Sequence, residues 1–167
     1  MTLVAPSTPE YLTIAEMTRD VYPGRAYNRN GLDLKGTVLG LTRAKWSVEF
    51  RVEVAHGISN TNAPCYRVEE VTFNVGIRNM RVYLGSELQG LSCLSDFVWE
   101  HEQEHVRLNK ELNAKASAHA KAEVQRVLKT LVLNQRSRAE AQKYATDVIR
   151  KTLVDATSAV RDEGTKG

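Results

Sequence analysis

The chain has 167 residues, of which 42% are hydrophobic and 26% are charged, as is ordinary for a globular protein with its own core. A net charge of +3, without basic patches interleaved with aromatics, gives no indication of a nucleic-acid partner. No apolar run approaches the roughly 20 residues that a membrane span needs.

The N-terminal part reads as extended chain and turns. Residues Met1–Glu10 predict an extended arm, and they lack the charged and apolar regions of a signal peptide. A first strand is predicted at Tyr11–Met17. Turn residues follow at Tyr22–Arg25 and at Asn30-Gly31. A short strand is predicted within Leu32–Thr42, interrupted by glycine.

Alternating apolar residues then predict a sheet. The strand Lys45–Val54 has one apolar face, formed by Trp46, Val48, Phe50, Val52 and Val54. After a polar loop at Ala55–Pro64, the same period predicts strands at Cys65–Ile77 and Met80–Leu84. Because these strands follow one another through short loops, we expect antiparallel pairing.

From about Ser92 the apolar period becomes helical. It predicts one helix from Ser92 to Leu133 and, after a break, a second helix that ends at Gly164. Ser137 and Glu140 have the spacing of a capping box at the start of the second helix. The expected fold is α+β, an antiparallel sheet packed on a long helical hairpin. We expect a single domain over residues 1–167, β-rich over 1–90 and helical over 91–164.

The predicted first long helix carries the pattern His-Glu-x-x-His at residues 101–105. Residues four apart lie on one helix face, so His101 and His105 can bind one zinc ion, which favours nitrogen ligands. Glu102 can then accept a proton from a zinc-bound water. In the alternative interpretation the histidines are buried in the core and Glu102 is solvated, because they fall on an apolar stripe: Leu94, Val98, His101, His105, Leu108 and Leu112.

A catalytic zinc needs a third protein ligand. If the two helices form a hairpin, counting residues back along the second helix brings Asp162 and Glu163 to the level of the motif. Asp162 is the predicted third ligand. The alternative is that both acids belong to a solvated chain terminus.

The two cysteines, Cys65 and Cys93, permit one disulfide between the second long strand and the motif helix. Such a bridge would contribute on the order of 3 kcal/mol by loop closure. The alternative is two buried thiols that act as small hydrophobic side chains.

The layout resembles a bacterial family of secreted zinc-dependent proteases, the domain-of-unknown-function family nine-two-two. The shared features are Trp46 on a strand, Cys65 at the start of the next strand, and the motif helix with residues 101–105. That family tends to close with Asp-x-x-Thr-x-His-Gly. This chain ends with Asp162 and Thr165 in place but lacks the histidine, which leaves open whether Asp162 binds the metal or orients another group.

The resemblance implies a zinc metallopeptidase that is secreted or periplasmic and acts on a peptide or protein substrate. The expected mechanism has His101, His105 and Asp162 holding Zn²⁺ while Glu102 serves as the general base. Two alternatives stay open. One is a non-catalytic helical-hairpin interaction module, and the other is a zinc hydrolase that acts on cell-wall amides.

Overall fold

The computed structural model describes residues 5–23, 37–58 and 64–164. The turn predicted at Asn30-Gly31, the first part of the segment 32–42, the middle of the loop 55–64 and the closing residues 165–167 lie outside these ranges. In chain order, the described elements are β1 (Glu10–Leu12), α1 (Ile14–Val21), β2 (Gly40–Ile58), β3 (Pro64–Gly85), a short 3-10 helix (Ser86–Leu88), α2 (Ser92–Thr130) and α3 (Arg138–Gly164). The predicted α+β class is confirmed.

The described strands form a mixed sheet in the order β1-β3-β2. The expectation of a wholly antiparallel sheet is wrong, because β1 pairs parallel to β3, with Glu10 opposite Tyr83. A parallel pair needs a long crossover between its strands. Here α1 and β2 lie between β1 and β3 in the chain and form that long connection. The expectation of antiparallel pairing, which assumed short loops between neighbouring strands, therefore does not apply to β1.

The predicted strand Tyr11–Met17 is wrong beyond Leu12, because a helix starts there. The Thr13 hydroxyl accepts a hydrogen bond from the Glu16 backbone N–H at 3.1 Å, and the Glu16 carboxylate accepts one from the Thr13 N–H at 2.9 Å. This capping box satisfies two donors that the first turn of α1 leaves free. Its sequence signal is a threonine followed three residues later by glutamate.

The two strands predicted after the polar loop are one strand, β3. Its backbone has positive φ angles at Gly76 (141°) and Asn79 (53°), where the apolar alternation changes parity. Bulge-like irregularities of this kind bend a strand without ending it. The change of parity therefore marks a local kink rather than a turn.

The helices agree closely with their predicted bounds. α2 ends at Thr130 rather than Leu133, and Leu133 instead forms an antiparallel bridge with Tyr66. α3 begins at Arg138, where the Ser137 hydroxyl accepts a hydrogen bond from the Glu140 N–H at 3.2 Å. In the described part of the chain, no helix is long and apolar enough to cross a membrane.

The chain divides into two compact units, and β2, β3 and α2 each contribute to both. Of the described residues, 46–58, 64–76 and 111–164 form the first, here called the helical-pair unit. Residues 5–23, 37–45 and 77–110 form the second, here called the motif unit because it contains residues 101–105. The predicted division at residue 90 does not coincide with these units. The expectation of a single domain stays a prediction.

Each unit has its own apolar core. In the helical-pair unit, residues of β2, β3, α2 and α3 pack in one cluster that includes Val52, Val54, Val75, Ala120, Val124, Ala141, Ala145, Ile149 and Leu153. The alanines at 120, 141 and 145 leave little side-chain volume between the elements, so the backbones can approach closely. The core of the motif unit contains Ile14, Met17, Tyr83, Leu84, Leu88 and Val98.

Candidate metal-binding site

The buried face of α2 in the motif unit runs through Val98, Glu102 and Val106, which lie four residues apart. His101 and His105 lie beside this face and are exposed. The interpretation of the two histidines as core residues is therefore wrong. The buried side chain in this part of the motif is Glu102, the acid that lies between the two histidines.

Glu102 is only 4% exposed, and its carboxylate is held from β2. The Thr42 hydroxyl donates a hydrogen bond to Glu102 Oε2 at 2.6 Å. A methyl group at Gly40 would come within 2.7 Å of Glu102 Oε1, so the carboxylate packs directly on the glycine backbone. A solvated Glu102 is therefore also wrong. A buried carboxylate costs free energy unless it is hydrogen-bonded, and Thr42 supplies that bond.

Sequence reasoning missed Thr42 and Gly40. They lie in a segment that was interpreted only as an interrupted strand, and Thr42 precedes Glu102 by 60 residues. A glycine and a threonine two residues apart at the start of a strand fit a sheet segment that receives a side chain from another element. No local pattern, however, identifies which side chain this is.

The two imidazoles are close enough to share one ion. His101 Nε2 and His105 Nε2 are 3.2 Å apart, and the two rings meet edge to face with their centroids 4.7 Å apart. Two nitrogens bound to one tetrahedral zinc at about 2.05 Å lie about 3.3 Å from each other. The distance between the two nitrogens is therefore compatible with a shared zinc ion. The same separation also suits an N–H···N hydrogen bond between neutral imidazoles.

Glu102 adds negative charge beside this pair. One ligand atom each of His101, Glu102 and His105 lies within 4.8 Å of the others, and this is the metal-capable group found among the described residues. A carboxylate at that distance stabilises a cation at the imidazoles by Coulombic attraction, most strongly where water is excluded.

Asp162 is not in this group. It lies near the end of α3, in the helical-pair unit, where its exposed carboxylate is 3.7 Å from the Arg161 guanidinium. Its assignment as a zinc ligand stays a prediction.

An ion pair lies on the charged side of α2 next to the histidines. The Arg107 guanidinium donates hydrogen bonds to the Glu104 carboxylate at 2.8 Å and 2.6 Å. These bonds, with smaller Coulombic contributions from Arg107 and His105, hold the pKa of Glu104 below its usual range. Glu104 is thus an anion that is paired with Arg107.

Exposed apolar side chains flank the histidines along α2. Spacings of three and four residues place five residues on one exposed helix face, here called the outward stripe: Leu94, Phe97, His101, His105 and Leu108. Phe97 is 69% exposed, the most of the large apolar residues described as exposed. Clustered exposed apolar groups of this kind are typical of interaction surfaces.

Cys65 and Cys93 are both free and exposed. The first is the second residue of β3, in the helical-pair unit, and the other is the second residue of α2, in the motif unit. The predicted disulfide is not formed in the structure. An even cysteine count permits a bridge but does not fix the short Cα–Cα distance, about 4.4–6.8 Å, that a bridge requires.

Comparison with known families finds a match in the helical part of the chain. The family model described as glutamyl-tRNAGlu reductase, dimerisation domain, matches residues 95–167. This stretch is less than half of the chain, and it contains most of α2 and all of α3. No curated protein and no solved structure matches the chain.

The match corrects the resemblance to secreted zinc-dependent proteases. The stretch that carries the His-Glu-x-x-His pattern matches a dimerisation domain, and no protease family matches. The predictions of a zinc metallopeptidase and of a hydrolase acting on peptide or cell-wall amide bonds are therefore wrong. A peptide substrate is likewise unsupported. The pattern was misleading because two histidines at this spacing bring two ligands together whatever the ion is then used for.

Proposed function

We propose that the helical part of the chain, residues 95–167, is a self-association module through which two copies pair. The observation that carries the proposal is the match of this stretch to a dimerisation domain. In this proposal α2 and α3 form an antiparallel hairpin, which their short connection at residues 131–137 favours. This function corresponds to the non-catalytic interaction module that the sequence left open.

The outward stripe of α2 is the surface that we assign to pairing. It presents Phe97 between Leu94 and His101, with Leu108 one to two turns further on. The exposed side of α3 is a weaker candidate. There, Tyr144 and Val154 are exposed, but α3 also carries the ion pairs Arg150–Asp147 and Lys151–Asp155 beside them in the chain. Such ion pairs are typical of a solvated face.

Sedimentation velocity on the full chain over a concentration series tests this proposal. We expect a reversible monomer–dimer equilibrium. Phe97→Ser should raise the dimer Kd by roughly 30-fold, which corresponds to the loss of about 2 kcal/mol at an aromatic anchor of an interface. Tyr144→Ser is the matched control on α3, and it should leave the Kd unchanged.

A chain that stays monomeric at every concentration, with or without zinc, would contradict self-association. An equal loss of dimer in both variants would contradict the choice of the outward stripe. Circular dichroism spectra identical to wild type establish that neither variant has unfolded.

We also propose that His101 and His105 bind zinc. The 3.2 Å separation of their Nε2 atoms and the carboxylate of Glu102 beside them support this second function. Zinc retained after dialysis should be lost in His101→Ala and in His105→Ala, because a single imidazole holds zinc weakly. His119→Ala, at an exposed histidine further along α2, is the control that should keep the metal. Equal zinc content in all four proteins would contradict the site.

A further inference from the structure

We infer that the zinc ion is shared between two copies of the chain, each of which supplies His101 and His105. This inference rests on the proposed self-association. It joins the two proposed functions in one site, which is incomplete in a single copy. The ion would be structural and would lie on the two-fold axis of the pair.

The coordination number leads to this inference. A structural zinc takes four ligands in tetrahedral geometry, and the exposed imidazole pair supplies two. Glu102 lies on the buried face of α2, and its Oε2 is already hydrogen-bonded to Thr42. We place the two remaining positions of the ion on the exposed side of α2, where both histidines lie. A second copy approaching along the outward stripe fills them with chemically identical donors.

The symmetry of the stripe is consistent with such an axis. In an antiparallel crossing of two α2 helices centred on residue 103, Leu94 of one copy lies level with the half-buried Leu112 of the other, and Phe97 lies level with Asn109, next to Leu108. The same surface of both copies then forms the interface, as a two-fold axis requires. The apolar residues on both sides of the histidines exclude water from the ion, which strengthens its bonds to the imidazoles.

The charges also balance. Four neutral imidazoles leave the zinc ion with its full double positive charge. Each copy brings one Glu102 carboxylate within 4.8 Å of its histidine nitrogens. Two carboxylates, one from each copy, neutralise the dication without displacing an imidazole. Glu102 thus acts in this site as a neutralising group whose carboxylate lies within 4.8 Å of its own histidine nitrogens.

The test measures zinc stoichiometry and mass together on the full chain. Protein treated with EDTA is compared with the same protein titrated with zinc chloride, using sedimentation velocity and elemental analysis. We expect about one zinc per two chains. At a free zinc concentration about 100 times the Kd of the ion, we expect the dimer Kd to fall by roughly 100-fold relative to EDTA.

Variants separate the ion from the apolar contacts. His101→Ala and His105→Ala should each abolish the zinc-dependent change in dimer Kd while leaving the weaker zinc-free association in place. His119→Ala should respond to zinc as wild type does. Phe97→Ser should weaken the dimer with and without zinc by the same factor. The histidines are exposed, so these substitutions do not disturb a core.

Three results overturn the inference, and they are distinguishable from failure of self-association. A dimer with the same Kd in zinc and in EDTA leaves self-association standing and removes the shared ion. A dimer that holds about one zinc per chain means that each copy completes its own site, with Glu102 as a third ligand. A monomer that binds one zinc removes both the shared ion and self-association.

Discussion

The two halves of α2 distribute polar and apolar side chains differently. In residues 111–130 the buried positions are apolar, at Ala116, Ala120 and Val124. Continuing the spacing of the outward stripe, the first outer position there is the half-buried Leu112, and the next ones carry Lys115, His119, Glu123 and Arg126. In residues 92–110 the buried face includes the carboxylate of Glu102, whereas the outward stripe carries Leu94, Phe97 and Leu108.

The difference separates stability from interaction within one helix. An amphipathic helix is stabilised by an apolar inner face and a polar outer face, and residues 111–130 follow that rule. The Glu123–Arg126 ion pair on their outer side is a solvated contact with a distance of 2.7 Å. Residues 92–110 depart from the rule twice, with an acid inside and apolar groups outside. Departures of this kind lower the stability of the fold. They are therefore expected mainly where a surface has a function.

The largest expected effect tests the apolar core that residues 111–130 of α2 share with α3. Leu153 is 0% exposed in the core of the helical-pair unit, and Leu153→Ala should lower the free energy of unfolding by about 2–5 kcal/mol through the lost contacts and the cavity. The neighbouring Val154 is 46% exposed, and Val154→Ala should stay within about 0.5 kcal/mol. Urea unfolding of both variants measures the difference. Equal losses would mean that this core does not discriminate between the two positions.

The next effect tests the buried acid. Thr42→Val keeps the shape of the side chain but removes the hydroxyl that donates to Glu102 at 2.6 Å. We expect a loss of about 1.5–3 kcal/mol in urea unfolding, the usual range for a hydrogen bond to a charged group. Thr42→Ser retains the donor and should recover most of that loss. A Thr42→Val protein as stable as wild type would show that the carboxylate is satisfied without this bond.

A somewhat smaller effect concerns the glycine beneath the same carboxylate. The added methyl group of Gly40→Ala would come within 2.7 Å of both Glu102 Oε1 and Val98 Cγ1. Overpacking of this kind costs about 1–3 kcal/mol. Because the variant also displaces the carboxylate, zinc affinity measured by competition with a chelator should fall as well. Unchanged stability and unchanged zinc affinity would refute the close packing of Glu102 on β2.

The smallest effect tests Glu16, an exposed carboxylate in the capping box of α1. Hydrogen bonds from the side chain and backbone of Thr13 lower the pKa of Glu16 from its ordinary value of 4.5. A lowered pKa in the folded state contributes stability above the unfolded value, and this stability is lost as the pH falls through the folded value. The difference in Tm between wild type and Glu16→Gln should therefore be constant above about pH 5 and vanish in more acid solution. A difference that is independent of pH would contradict the assignment.

The helices could be predicted from the sequence because their signals are local. Ala116, Ala120 and Val124 follow the 3.6-residue period of the predicted helix and are buried, and α3 begins at the predicted capping box of Ser137 and Glu140. The first strand was extended too far because the capping box formed by Thr13 and Glu16 was overlooked. Both outcomes follow from interactions within a few residues of chain.

The candidate site could be predicted only in part, because its remaining contacts are distant in sequence. The spacing of His101 and His105 predicted that their nitrogens converge. Whether the imidazoles or the Glu102 carboxylate faces the core depends on Thr42 and Gly40, and no periodicity reports that choice. The predicted stripe ran through His101 and His105, whereas the buried face runs through Glu102 and Val106, each one residue further along. Adjacent helix positions differ by about 100°, so this shift leaves both histidines outside the core.

The parallel pairing of β1 has a consequence for the order in which the chain is made. The backbone N–H of Ile14, at the start of α1, donates to the Glu87 carboxylate across a separation of 73 residues. At a synthesis rate of about 5–20 residues per second, Glu87 is added roughly 4–15 s after Ile14. During that interval β1 lacks the strand β3 with which it pairs, and α1 lacks its bond to Glu87. β1 and α1 therefore complete their docking only after β3 and Glu87 have been synthesised.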